Sequence, residues 1–208
     1  MLLTLREYGR IYKVINTLLL NEGGDPAYSC ILFSVFGAYI LEKHYKIKAK
    51  PKAGLAAYHI GADNDAIVFG EYDAEGKLTG NGSSFHCWVE AKGWLIDFMA
   101  PTFPELYKKS GKKNSIPSNM LQKPLGKMAL SVNSLEKSGD FYLEYSAVTT
   151  AKKMSILSSS PAYSDLAEIC VQWYRKPPKK MIKEITIKDQ NGQNMSTSLK
   201  GRTIVGAW

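Results

Sequence analysis

Three polar side chains of the sequence, Cys30, His86 and Asp97, lie in stretches that are otherwise largely apolar. A cysteine is a nucleophile as its thiolate, an imidazole can take up the thiol proton, and a carboxylate can hold that imidazole in one orientation and tautomer. This combination performs acyl transfer without a metal or an organic cofactor. We therefore predict that Cys30 is the nucleophile, His86 the base and Asp97 the residue that orients His86.

Cys30 opens a segment, residues 30–41, that is apolar on nearly every side, as in a helix buried at the centre of a domain. Asp25 and Pro26 form one possible helix start, and Ser29 is a second possible N-cap. Either start leaves Cys30 near a helix N-terminus, where free N–H groups favour a thiolate and can hold an oxyanion. Cysteine is also a small apolar residue, so the prediction depends on a partner base.

His86 and Asp97 occur on two consecutive predicted strands that are joined by a tight turn at Lys92 and Gly93. If these two turn residues form the whole loop, Trp88 lies opposite Asp97. Asp97 is then the diagonal neighbour of His86 on the same face of the sheet. A slip of one residue would turn Asp97 to the opposite face. An aspartate buried in an apolar strand requires a polar partner, and the imidazole supplies one.

The rest of the chain carries both helical and strand periodicity. Helices come first and an antiparallel run follows, an order that predicts the α+β class. We expect one domain over residues 1–208, with the catalytic part at about 1–105 and a C-terminal extension, about 106–208, that completes the same fold. The predicted elements are helices at 2–20, 104–109, 149–157 and 164–175, strands at 55–60, 66–72, 85–91, 94–99 and 141–145, a hairpin around Asn191-Gly192, and an irregular segment at 101–125.

Composition and charge exclude several classes of protein. An apolar fraction of 45% excludes a disordered chain, and no apolar run approaches the ~18 residues of a spanning helix. Because the N-terminus also lacks the pattern of a signal peptide, the cytoplasm is the expected location, with no membrane partner. The net charge is +8, yet the lysines fall mostly in loops, as at Lys46 and Lys112, and no nucleic-acid-binding motif accompanies them. Nucleic acid is therefore not expected as a partner, and the oligomeric state stays open.

The other two cysteines are expected to be structural. Three widely spaced cysteines do not form a disulfide framework. Strand alternation points Cys87 away from His86, so we expect Cys87 to be buried and inert, and Cys170 to lie in the core. His86 and Cys87 are adjacent in a strand and point to opposite faces, so they are not expected to bind one metal ion together. No Cys-x-x-Cys pair is present either, and no metal site is expected.

The residues around His86 resemble a known family. The stretch His86-Cys87-Trp88-Val89-Glu90, Gly93-Trp94, Asp97 and Ala100-Pro101-Thr102 looks like the His and Asp strands of transglutaminase-like proteins, within the papain-like group of cysteine peptidases and acyltransferases. That group places a Cys at the start of a buried helix, then His, then Asp or Asn on antiparallel strands, in the chain order found here. The resemblance is specific over 86–102, looser over 25–41 and absent after about 105.

The resemblance implies a papain-like or transglutaminase-like architecture, in which a buried N-terminal helix packs on an antiparallel sheet, and a Cys-His-Asp site. It also implies a second oxyanion donor a few residues before the cysteine, for which Asn21 and Tyr28 are the candidates. Two features depart from the family pattern. Ser29 stands where many members have a small Gly-containing turn, and the long stretch between the Cys and the His requires an extra strand pair, which residues 61–82 are expected to supply.

The predicted function is hydrolysis of an amide or isopeptide bond in a peptide, a protein or a small amide substrate, by thiol-dependent acyl transfer. One alternative is an acyltransferase similar to arylamine acetyltransferases, in which basic loops meet the phosphates of acetyl coenzyme A, although no phosphate-binding glycine loop is present. Another is a catalytically silent papain-like scaffold that binds protein or nucleic acid. The presence of all three polar residues favours chemistry.

Overall fold

The computed structural model describes residues 1–61, 65–81, 83–112, 115–188 and 191–208, and its elements mix helices with a mainly antiparallel sheet, as the α+β prediction requires. None of the helices in these ranges combines the length and the apolar character needed to cross a membrane. The helices are α1 (Leu5–Asn21), α2 (Cys30–Tyr45), α3 (Phe103–Lys109), α4 (Ala147–Ser158) and α5 (Pro161–Trp173). The strands are β1 (Ala49–His59), β2 (Ala66–Phe69), β3 (Glu71–Tyr72), β4 (Leu78–Thr79), β5 (His86–Ala91), β6 (Trp94–Asp97), β7 (Asn119–Pro124), β8 (Phe141–Tyr145), β9 (Glu184–Lys188), β10 (Asn194–Ser198) and β11 (Gly206–Ala207).

Helix α1 is the predicted amphipathic helix, and its start is fixed by a capping box. The Thr4 hydroxyl accepts the Glu7 backbone N–H at 3.2 Å, while the Glu7 carboxylate accepts the Thr4 backbone N–H at 2.8 Å. These two bonds satisfy donors that a helix end otherwise leaves open. The apolar face that follows is buried, including Tyr8 and Ile11, and it packs against α2 and α5.

The main sheet is built around β1, in the order β11-β7-β6-β5-β1-β2, with β8 also paired to β1. Gly54 of β1 pairs with His86 of β5 and with Tyr145 of β8, which therefore lie on opposite edges of β1. Strands β2 and β8 pair with the same part of β1, so they lie on opposite edges of it. Because β5 also lies on the edge opposite β8, β2 and β5 follow one another along the same edge of β1. Ala56 pairs with Phe69 there, so Phe69 and His86 project on the same face of the sheet.

Gly54 has no room for a side chain between these two edges. A Cβ at this position would lie 2.0 Å from the Glu144 carbonyl oxygen and 2.9 Å from the Ser146 nitrogen, both backbone atoms. We expect Gly54→Ala to lower the free energy of unfolding by about 1–3 kcal/mol, as measured by urea denaturation. Gly126→Ala is the matched control, because a Cβ there meets nothing within 4 Å. Equal urea midpoints for the two variants would contradict the pairing at Gly54.

Two sequence predictions about the C-terminal half are wrong. The segment 101–125 is not irregular throughout, because β7 (Asn119–Pro124) lies inside the main sheet between β6 and β11. Its polar composition hides the strand pattern. Helix α5 begins at Pro161, with Ser160 as its N-cap residue, so it starts before the predicted position 164.

Two other predicted features are confirmed. Strands β9 and β10 pair antiparallel as the hairpin predicted around Asn191 and Gly192, although residues 189–190 lie outside the described ranges. The extra strand pair expected between Cys30 and His86 is present as the β3-β4 hairpin.

Candidate active site

The N-terminus of α2 places Cys30 at the surface of the core. The Asp25 carboxylate accepts the Ala27 N–H at 3.0 Å and caps a short 3₁₀ turn, Pro26–Tyr28, after which α2 begins at Cys30. The Ser29 hydroxyl donates to the Asp25 carbonyl at 2.8 Å and makes no capping bond to α2. Among the described residues, no side chain caps the first N–H groups of this helix. They remain available beside the sulfur of Cys30.

His86 and Asp97 meet as the sequence register predicts. Val89 pairs with Ile96 across the hairpin, which is the register of a two-residue loop. The His86 Nε2 atom lies 2.7 Å from Asp97 Oδ2, and both residues are buried, with exposed fractions of 0% and 1%. Asp97 Oδ1 accepts the Met99 backbone N–H at 3.0 Å. The Met99 N–H thus holds the Asp97 carboxylate in place, and the carboxylate holds the His86 imidazole in one orientation.

The electrostatics of the site favour a charged pair of Cys30 and His86. Burial acts to lower the pKa of His86, but the Asp97 carboxylate and the Cys30 sulfur outweigh it and raise the pKa to about 9. The neighbouring Cys87 thiol and the His86 ring lower the pKa of Cys30 to about 5 against the effect of burial. Both shifts favour the Cys30 thiolate and the His86 imidazolium. Because Nε2 is bonded to Asp97, Nδ1 is the ring nitrogen left for Cys30 or a substrate, and among the described residues it has no hydrogen-bond partner.

Aromatic rings that the sequence analysis did not identify surround the imidazole. Phe69 stacks on His86 with ring centroids 4.1 Å apart, and Tyr58 and Phe103 approach it edge-on at 5.7 Å and 6.0 Å. Burial and the nearby Asp97 carboxylate raise the pKa of Tyr58 well above its usual value, so its phenol stays neutral. The rings exclude water from one side of the ion pair, which strengthens its electrostatic interactions.

A cavity of about 520 Å³ opens onto Cys30 and His86. Its rim includes Lys109, which forms an ion pair with Asp25 and lies 5.0 Å from the centroid of the Tyr28 ring. The wall is mainly apolar, with serines and lysines toward the rim. The residues that line the cavity are Ala27, Tyr28, Cys30, Ala66, Ile67, Val68, Phe69, Ser83, Ser84, Phe85, His86, Met99, Leu106, Tyr107, Lys109, Ser110 and Lys112.

Of the two side chains predicted as oxyanion donors, one lies outside the cavity that Cys30 lines. Asn21 ends α1, donates its amide to the Met195 sulfur at 3.3 Å and is not part of the cavity wall. Tyr28 does line the cavity, but its side chain lies over Lys109 and the residue is 67% exposed. Cys30 is the first residue of α2, so the backbone N–H groups of the first turn of this helix are the nearest donors along the chain.

Cys87 is buried, as predicted, and it follows His86 on β5, the strand against which α2 packs. Cys170 is fully buried in α5, as predicted, and burial raises its pKa.

No group of three His, Cys, Asp or Glu side chains is arranged as a metal site in the part of the chain that the structure describes.

Comparisons with known proteins identify relatives without an assigned activity. The model of a family described as "Protein of unknown function (DUF2026)" matches residues 4–208. A crystal structure of a genomics target is 41% identical, with a TM-score of 0.89, and the match covers 100% of this chain and 98% of that one. No curated protein matches the chain.

Proposed function

Because the chain belongs to the DUF2026 family, whose description assigns no activity, we propose from the site alone that the protein is a cysteine-dependent acyl-transfer enzyme that hydrolyses an amide or isopeptide bond. One observation carries the proposal: a low-pKa Cys30 at an open helix N-terminus lines the same cavity as His86, which is bonded to Asp97 at 2.7 Å. Burying an ionisable Asp–His pair costs desolvation free energy. Groups with shifted pKa values that lie beside a cavity are typical of functional sites.

The first half of the reaction forms a thioester. The Cys30 thiolate attacks the carbonyl carbon, and the negative charge moves to the carbonyl oxygen, where the first N–H groups of α2 stabilise it. His86 already carries its proton and donates it to the leaving nitrogen as the C–N bond breaks. The amine departs with that proton, and His86 is left neutral.

The second half releases the acyl group. Neutral His86 removes a proton from water, the resulting hydroxide attacks the thioester carbonyl, and the C–S bond breaks to return the Cys30 thiolate. Asp97 stabilises the ring each time it becomes charged and keeps Nδ1 directed at the sulfur. An amine that enters in place of water gives acyl transfer by the same steps.

The architecture that we propose is papain-like or transglutaminase-like. Its support is the chain order, with the cysteine at the start of a helix that packs on β5 and β1, and the histidine and aspartate on the antiparallel pair β5 and β6. In this arrangement the substrate is a peptide, a protein or a small amide. Its acyl side chain occupies the apolar part of the cavity next to Phe69 and Met99.

Alkylation by iodoacetamide tests the proposal without a known substrate. We expect Cys30 to be modified at neutral pH at least about tenfold faster than Cys87 and Cys170 in the folded protein, because only Cys30 is a thiolate that lines a cavity. Peptide mass mapping after short labelling times measures the three rates. Equal rates at the three cysteines would overturn the proposed function.

The pH dependence of the same reaction reports the ion pair. In the wild type, alkylation of Cys30 should rise with a midpoint at pH of about 5, because its thiol loses its proton there. In His86→Ala the positive charge is gone, so the midpoint should move upward, and labelling at neutral pH should slow about tenfold. An unchanged midpoint would show that His86 does not stabilise the thiolate.

A further inference from the structure

Helix α2 has an apolar stripe that the fold leaves half-buried, and the stripe begins next to the nucleophile. Ile31, Val35 and Tyr39 follow one another at intervals of four residues and so lie on one face of the helix. All three are half-buried, whereas Phe33 and Phe36, on other faces, are buried. The apolar pattern of α2, which predicted burial on nearly every side, therefore includes one face that the described part of the chain does not fully cover.

Helix α4 borders the same space with apolar side chains that are also incompletely buried. Among its twelve residues, all of which the structure describes, Thr149 alone is buried. Leu157 is half-buried, and Ile156 is 53% exposed. Both of these residues line one cavity together with Ile31 and Leu32 of α2. Two helices therefore present partly exposed apolar side chains to one space.

Three neighbouring cavities follow this space, and the first of them is the candidate active site. The cavity of about 520 Å³ that Cys30 lines shares Tyr28 with a second cavity of about 270 Å³. The second cavity shares Leu157 and Tyr163 with a third, of about 430 Å³, which reaches Glu42 of α2. The three cavities together, which we call the α2 groove, therefore run from Cys30 along the helix.

We propose that the α2 groove binds an extended polypeptide, so that the substrate of the acyl-transfer site is a peptide or a protein segment rather than a small amide. From Ile31 to Glu42 the helix rises about 16 Å. An extended peptide covers this length with about five residues. A small amide would occupy only the cavity at Cys30. The inference rests on the proposed function and narrows its substrate class.

The lining of the groove fits a peptide better than a hydrocarbon chain. Tyr163 and Ser164 place hydroxyl groups in the third cavity beside the apolar Met154 and Leu157. An extended peptide has N–H and C=O groups that lose water on binding and need hydrogen-bond partners, whereas a hydrocarbon chain has none. Alternate side chains of such a peptide point to the same side and can contact the apolar stripe of α2. The groove therefore matches a peptide in which apolar and polar residues alternate.

Fluorescence anisotropy with labelled, end-blocked peptides of alternating leucine and serine tests the inference. A six-residue peptide should bind the wild type at least about tenfold more tightly than a two-residue peptide, because it buries more leucine side chains in the groove. At saturation it should slow the alkylation of Cys30 by iodoacetamide at least about threefold, since the bound chain covers the cavity at Cys30. The two-residue peptide at the same concentration should leave the alkylation rate unchanged.

Ile156→Asp tests whether the α2 groove is the surface that binds the peptide. The new carboxylate would lose water when the peptide binds, so the six-residue peptide should bind at least about fivefold more weakly. Val148→Asp is the matched control, because it lies in the same helix, is 80% exposed and is outside the groove. Its affinity should stay within about twofold of the wild type. Both positions are exposed, and thermal unfolding checks that the variants keep the native fold.

Several outcomes would overturn the inference. They are equal affinities for the two peptide lengths, equal losses in Ile156→Asp and Val148→Asp, a bound peptide that does not slow the alkylation of Cys30, and lauric acid that binds as tightly as the six-residue peptide. In each case, rapid alkylation of Cys30 would leave the proposed function standing. A Cys30 that is alkylated no faster than Cys170 would overturn the proposed function, whichever peptides bind. The two failures are thus distinguishable.

Discussion

Replacement of Cys30 by serine should abolish acyl-enzyme formation and lower the turnover of an activated nitrophenyl ester by about 10³-fold or more. The ester is a suitable probe because it needs a nucleophile and an oxyanion site but little recognition of a particular substrate. A serine hydroxyl keeps its proton in an environment where the Cys30 thiol, with a pKa of about 5, does not.

Two measurements on the same samples check this expectation. The initial release of nitrophenolate gives the rate of acylation, and the mass of the quenched protein shows whether one acyl group is attached to the Cys30 peptide. Cys170→Ser is the control, since it makes the same chemical change at a buried thiol outside the site and should acylate within about twofold of the wild type. Turnover that survives in Cys30→Ser, with the acyl group on another residue, would remove Cys30 from the mechanism.

The pairing of His86 with Asp97 was predictable because it depends on local rules. A two-residue turn at Lys92 and Gly93 fixes which residues face one another, and strand alternation then places the two side chains on one face. An aspartate within an otherwise apolar strand marks the position that needs a partner. Local rules of this kind hold over a dozen residues, and the sequence is sufficient at that range.

Contacts between distant segments were not predictable in the same way. Phe69 stacks on His86 only because β2 follows β5 along one edge of β1, and nothing in the sequence near Phe69 indicates that edge. The side-chain period of a strand says which way a residue points but not what packs at the strand's end.

The buried pair of His86 and Asp97 should make a large contribution to stability as well as to reactivity. We expect Asp97→Ala to lower the free energy of unfolding by about 3–5 kcal/mol, because it leaves His86 buried without a partner. Urea denaturation near pH 6 measures the change. Glu105→Gln is the control, because the Glu105–Arg202 ion pair is well exposed and is expected to contribute less than about 1 kcal/mol. Similar losses in the two variants would mean that His86 and Asp97 are not a buried ion pair.

Asp97→Asn separates the charge of the pair from its packing, because it keeps the volume of the side chain. The folded pKa of His86, about 9, lies above its usual 6.5, so the stability that comes from charging the ring is fully present below pH 6.5. That contribution is lost as the pH rises through about 9. The wild type should therefore exceed Asp97→Asn in stability by the largest margin near pH 6, and the margin should shrink above pH 9. Because both proteins lose the ring's charge there, a margin that grows with pH would contradict the assignment of the charge to His86.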